Sequence, residues 1–130
     1  MTSNINKVLV IAPHADDGEL GCGATMVLIP NRNDVHQDHA VIAAESIRAF
    51  KFLSIWGYEL PWNNLSSTSN NYIKLDKAHI DKKIKAIQCY NSQNHRTYIN
   101  GDFIRSLAKI RGTQIAAEYA ESFEIIRQII

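Results

Sequence analysis

The chain has 130 residues, 45% of them hydrophobic and 21% charged, which fits a single soluble globular domain with a core of its own. Fourteen basic against thirteen acidic side chains leave a formal charge of +1, so bulk charge selects neither nucleic acid nor an anionic membrane as partner. No stretch approaches the ~20 apolar residues of a membrane span, so a cytoplasmic location is expected, and Cys22 and Cys89, which have neither CxxC nor framework spacing, read as buried small hydrophobes.

Val8 to Ile11 form an unbroken apolar run, the pattern of a parallel strand covered on both faces, so the fold class starts as α/β. A tight turn follows, with His14, Asp16 and Asp17 and then Gly18, Gly21 and Gly23; Asp17 or Gly18 can cap a brief helix. Met26 to Ile29, closed by Pro30, reads as the next buried strand. Only thirteen residues, Pro13 to Thr25, separate the two strands, which is barely enough for a parallel crossover.

From Gln37 to Leu53, Ile42, Ala49, Phe50 and Leu53, with Ser46 between them, predict one face of an amphipathic helix. Ser54 to Leu60 reads as a strand ended by Pro61, and Trp62 to Asn71 as a polar loop suited to the rim of a site. Tyr72 to Leu75 is a short strand. Asp76 then caps a helix carrying Ile80, Ile84 and Ile87, and Asp102 caps another carrying Ile104, Leu107, Ala108 and Ile115, with Gly112 inside it. The tail, Phe123 to Ile130, is rich in β-branched residues and reads as a final strand.

The chemistry concentrates in two clusters. A catalytic zinc site commonly takes three ligands from His, Asp or Glu and leaves a position for water. His14 and Asp17 share a turn and can point at one ion, and His39 can close the triad from the stretch DVHQDH, Asp34 to His39. Asp16 is then free to act as base on the water, His36 can donate to an oxyanion, and Asp38 would orient a histidine. Each residue alone has a plainer role as cap or turn former, but two His/Asp clusters on strand-end loops favour a metal site. His79 and His95 read as surface residues, and the GxG at Gly21 and Gly23 is too incomplete for a phosphate loop.

At these residues the sequence resembles a known family. APHADDGELGCGAT is similar to the AHPDDE-type signature of the LmbE-like, or PIG-L, N-acetylglucosaminyl deacetylases, and DVHQDH to their HxDH signature. YELPW at Tyr58 to Trp62, KAIQCYNSQ at Lys85 to Gln93 and RGTQIAAEYAESFE at Arg111 to Glu124 extend the likeness over almost the whole chain. The resemblance implies a Rossmann-like fold, with a mostly parallel sheet flanked by helices, and zinc-dependent hydrolysis of the N-acetyl group of an amino sugar or glycoside. It implies His14, Asp17 and His39 as ligands of Zn2+ or another divalent metal, Asp16 as general base, His36 as the oxyanion or leaving-group histidine, and Asp38 as its orienting partner.

Two departures stand out. Ala15 replaces the family's usual proline, and the much longer segment that normally joins the two motifs, with its substrate-binding arginine, is absent. The junction is expected near Met26 and Val27, as a deletion, as a core completed by a partner subunit, or as a join between segments whose intervening residues are not written. A shortened sheet with exposed edges favours association, including a homo-oligomer. The competing functional reading is a non-catalytic metal-binding or assembly module of the same fold.

Overall fold

An apolar run needs cover on both faces, and the chain supplies it for β2 (Met26–Pro30) from its neighbours. In this computed structural model, which describes residues 8–10, 25–90 and 100–130, β2 pairs in parallel with β1 (Val8–Val10) and with β3 (Ser54–Tyr58). Side chains alternate across a strand. Val27 and Ile29 therefore pack with Ile55 and with Ala43 of α1 (Gln37–Ala49), joined by the partly buried Ile47, Phe50, Leu53 and Ile126. Met26 turns to the opposite face and packs with Trp56 and Phe123.

The remaining elements are β4 (Asn71–Leu75), α2 (Lys77–Gln88), α3 (Gly101–Thr113) and β5 (Tyr119–Arg127). The five strands form one sheet in the order β1-β2-β3-β5-β4. The protein is thus an α/β fold with three helices among the described residues. The expectation of a mostly parallel sheet is corrected: β5 runs antiparallel to β3, with Gly57 opposite Glu124 and a register shift between Ile55 and Trp56. An apolar run reports cover on both faces and carries no direction; β5 is also largely buried, yet runs the other way.

By contact density the chain falls into two compact units, Met1–Asn71 with Phe123–Ile130, and Tyr72–Ser122. In the first, the expected junction at Met26 and Val27 lies inside β2, where both residues are buried. The connection between β1 and β2, residues 11–24, lies outside the described residues. In the second, α2 and α3 bring Ile80, Ile84, Ile104 and Ala108 together with Tyr119 of β5.

Several boundaries differ from the sequence reading. Helix α1 ends at Ala49: Phe50 leaves helical geometry at φ −99° and ψ 50°, and the Leu53 N–H then bonds the Phe50 carbonyl at 3.3 Å in a turn. Its buried face is Ala43, Ser46, Ile47 and Phe50, while Ala49 is exposed. Strand β3 stops at Tyr58 rather than Leu60. Asn100, not Asp102, caps α3, its side chain accepting from the Phe103 N–H at 2.7 Å; Asp102 lies in the first turn, where a carboxylate suits the helix dipole.

Helix α3 also ends before Ile115. The Ala117 N–H bonds the Gly112 carbonyl at 2.9 Å and Ala116 takes φ 54°, which reverses the chain into β5 four residues before the expected Phe123. Gly112 is required there, since a Cβ would lie 2.6 Å from the Ala117 carbonyl oxygen. Cys89 is exposed at the C-terminus of α2, its thiol donating to the Lys85 carbonyl at 3.4 Å, rather than buried as expected; Cys22 lies outside the described residues.

Candidate functional site

Pro30 ends β2, and four residues then make a turn that side chains hold shut. The Asp34 N–H donates to the Asn31 carbonyl at 3.1 Å, and the Asn33 N–H to the Asn31 side-chain oxygen at 2.9 Å. Asn and Asp are good formers of such turns because their short side chains mimic backbone acceptors. The result buries Asp34, which is 4% exposed and has a side chain with no exposure at all.

A buried carboxylate needs partners for its lone pairs. Oδ1 of Asp34 accepts from the His36 N–H at 2.9 Å, and Oδ2 lies 2.7 Å from Nδ1 of His39. His39 sits in the first turn of α1, one turn beyond the cap, with its side chain 13% exposed. Since an ionised carboxylate only accepts, the proton of this contact is on Nδ1 of His39, and in the neutral ring Nε2 presents a lone pair.

His36 is arranged the other way. It is the N-cap of α1, and its Nδ1 accepts from the Asp38 N–H at 3.3 Å. Capping normally falls to Ser, Thr, Asp or Asn, whose side-chain oxygens accept from the free N–H groups of the first turn. When an imidazole takes that place, its neutral ring carries the proton on Nε2. The two rings stack with centroids 4.5 Å apart and planes 28° apart. Two stacked imidazoles therefore present opposite functions: Nε2 of His39 as an acceptor or ligand, and Nε2–H of His36 as a donor.

A second loop closes on this one. The Val35 N–H donates to the Asn63 carbonyl at 3.1 Å, and Asp34 and Asn64 form an isolated antiparallel bridge. The side-chain amides of Asn31 and Asn33 both donate to Thr68 Oγ1, at 3.2 and 3.3 Å. The expected polar loop from Trp62 to Asn71 thus borders the histidine loop. Trp62 is 41% exposed within it.

Of the six site residues expected from the sequence, His36, Asp38 and His39 fall in the described chain, and His14, Asp16 and Asp17 lie outside it. Asp38 is exposed and engages His36 through its backbone N–H. The carboxylate that orients His39 is Asp34, which sequence reasoning missed. Its signal was its place at the head of the DVHQDH stretch, five residues before His39, where no role had been given to it. Among the described residues no group of three or more His, Cys, Asp or Glu is placed to hold a metal ion. None of the helices searched among them is long and apolar enough to cross a membrane.

No family model matches the chain, and no curated protein matches it either. Among solved structures it is similar to the conserved protein TT1542 from Thermus thermophilus, with a TM-score of 0.66 and 19% identity over 82% of this chain and 53% of that one. The chain spans about half the length of that protein. At this identity the likeness shows the fold, and the α/β architecture described above is what the two chains share.

Proposed function

We propose that the chain is a metal-dependent deacetylase of a small N-acetylated amino sugar or glycoside, in the Rossmann-like LmbE/PIG-L family that its two motifs resemble. The observation that carries the reading is the opposite bonding of the two imidazoles, Nδ1 of His39 against the Asp34 carboxylate and Nδ1 of His36 accepting from the helix start. A hydrolytic metal site needs one histidine with a free lone pair and, beside it, a donor for the oxygen on which charge develops. His39 and His36 meet those two requirements at one helix start.

The residues fit a divalent metal as far as they are described. Nε2 of His39 is the available donor atom, and the Asp34 carboxylate behind its Nδ1 is the usual support of a ligating histidine. His14 and Asp17 would complete the set, with Zn2+ or a related ion. Such an ion, when bound, polarises water and an amide carbonyl. Asp16 would take the proton from the attacking water as its oxygen bonds to the acetyl carbon. The Nε2–H of His36 would donate to the carbonyl oxygen as it gains charge. When the C–N bond breaks, the proton held by Asp16 passes to the leaving nitrogen, and acetate and a free amine depart.

The test is amine release from a panel of N-acetylglucosamine glycosides by zinc-loaded protein, beside a chelated sample. Release should stop on chelation, and His36→Ala should lower kcat by roughly 10²-fold or more while zinc stays bound. Release that ignores the chelator, or that survives His36→Ala at the parent rate, would sink the proposal. A folded, zinc-bound protein with no turnover on any glycoside would favour the non-catalytic module instead.

A further inference from the structure

Among the described residues Glu124 is the second buried carboxylate of this unit, and the reaction outlined above has no use for it. It is 2% exposed on β5, directly opposite Gly57 of β3. A Cβ at position 57 would stand 3.3 Å from Oε2 of Glu124 and 3.1 Å from the Cα of Asn31. The glycine therefore leaves the space through which the carboxylate reaches the start of the histidine loop.

Every hydrogen bond that Glu124 accepts from the described side chains and loop backbone comes from one residue. The Arg32 backbone N–H donates to Oε2 at 3.3 Å, Nε donates to Oε1 at 2.7 Å, and Nη2 donates to Oε1 as well. Arg32 itself keeps 55% of its side chain exposed, so the guanidinium is not there to fill a core. Burying a carboxylate is costly, and an apolar pair of similar volume is often at least as stable. Stability alone does not account for the pair.

Position does. Arg32 is the second residue of the turn that Asn31 and Asp34 close, so fixing both its backbone N–H and its side chain fixes the turn. The turn places Asp34, and Asp34 sets the protonated nitrogen of His39. Thr68 and Asn63 hold the same loop from its other side.

We infer that Glu124 and Arg32 are positioning residues for the proposed site: the buried carboxylate on β5 locks the loop from Asn31 to Asp34, and through Asp34 holds His39 with its proton on Nδ1. This rests on the reading of His39 as a ligand for its purpose, but its test is independent of turnover. In metal-free, 15N-labelled protein, long-range 1H–15N spectra of the imidazoles report which nitrogen carries the proton. The parent should show His39 as the Nδ1–H tautomer. The double variant Arg32→Ala/Glu124→Gln, which removes the pair without stranding a buried charge, should shift His39 toward the Nε2–H form and weaken zinc binding by roughly tenfold or more.

Lys83→Ala/Glu121→Gln removes a surface ion pair of the other unit and should move neither readout. Should the double variant fail to fold, Arg32→Lys, which keeps a cation and the backbone N–H, should give a smaller shift in the same direction. Parental His39 signals in the folded double variant, or in Arg32→Lys where that variant replaces it, would overturn the inference. So would an equal shift from the Lys83/Glu121 control. A deacetylase assay with no product would leave this result standing, because the tautomer is read without metal or substrate.

Discussion

The two compact units treat polar groups in opposite ways. In Tyr72–Ser122 the core is Ile80, Ile84, Ile104, Ala108 and Tyr119, and the ion pairs Lys77–Asp81, Arg105–Asp81 and Lys83–Glu121 stand at least partly in solvent. In Met1–Asn71 with Phe123–Ile130, Asn31, Asp34, Ser54 and Glu124 are buried as deeply as the apolar core. Polar burial costs free energy unless each group is paired. Three of these, Asn31, Asp34 and Glu124, gather around one loop and hold its geometry, whereas among the described residues of the other unit Ser122 is the one buried polar side chain and no carboxylate is buried.

The contrast can be broken by mutation. The largest effect should come from Asp34→Ala, which leaves the His36 N–H and the His39 Nδ1–H without their acceptor. Zinc affinity or deacetylation should fall roughly 10- to 100-fold, measured by metal titration and by amine release. In the other unit, Ile84→Ala should cost about 2–5 kcal/mol in denaturant unfolding, with kcat unchanged wherever the protein is still folded. A lowered kcat in folded Ile84→Ala would show that the two units are not divided in this way.

Gly112→Ala sharpens the same comparison. The added methyl meets the backbone of Ala117 and Glu118 at 2.6–2.8 Å, so the turn into β5 must shift, at about 1–3 kcal/mol by thermal or denaturant melting. The smallest effect concerns Asp81. The hydrogen bond from Lys77 holds its carboxyl below the usual value against the opposing effect of burial, with a lesser lowering from Arg105. A carboxyl lowered in the folded state adds stability above its unfolded pKa of ~3.9. That stability is lost as pH falls through the folded value. Asp81→Asn should therefore flatten slightly the loss of stability below about pH 4, and a steeper loss would contradict the pairing.

How much of this was legible beforehand follows the range of the forces involved. The helix faces around Ile80, Ile84 and Ile104, the Asp76 cap and the strand at Met26–Pro30 could be read because they depend on spacing within one element. The α1 face was misplaced: Ala49 has an apolar side chain but faces solvent, and Ala43 fills the core instead. Tyr119–Ser122 was missed as strand because its Ala and Glu neighbours favour helix, and pairing in the sheet overrode that preference.

The candidate site divides in the same way. Sequence alone picked out His36 and His39, since two histidines beside aspartates at a strand-end loop are hard to explain as solvation. It also set the local turn, through Asn31, Asn33 and Asp34. Only the tertiary structure decided which carboxylate serves which ring, giving His39 to Asp34 and the Nδ1 of His36 to the helix start. It alone brought Glu124 to Arg32, 92 residues away in the chain. Residue type fixes which hydrogen bonds a group can make, but the choice among partners depends on where the backbone carries them, and that is settled by the packing of the whole sheet.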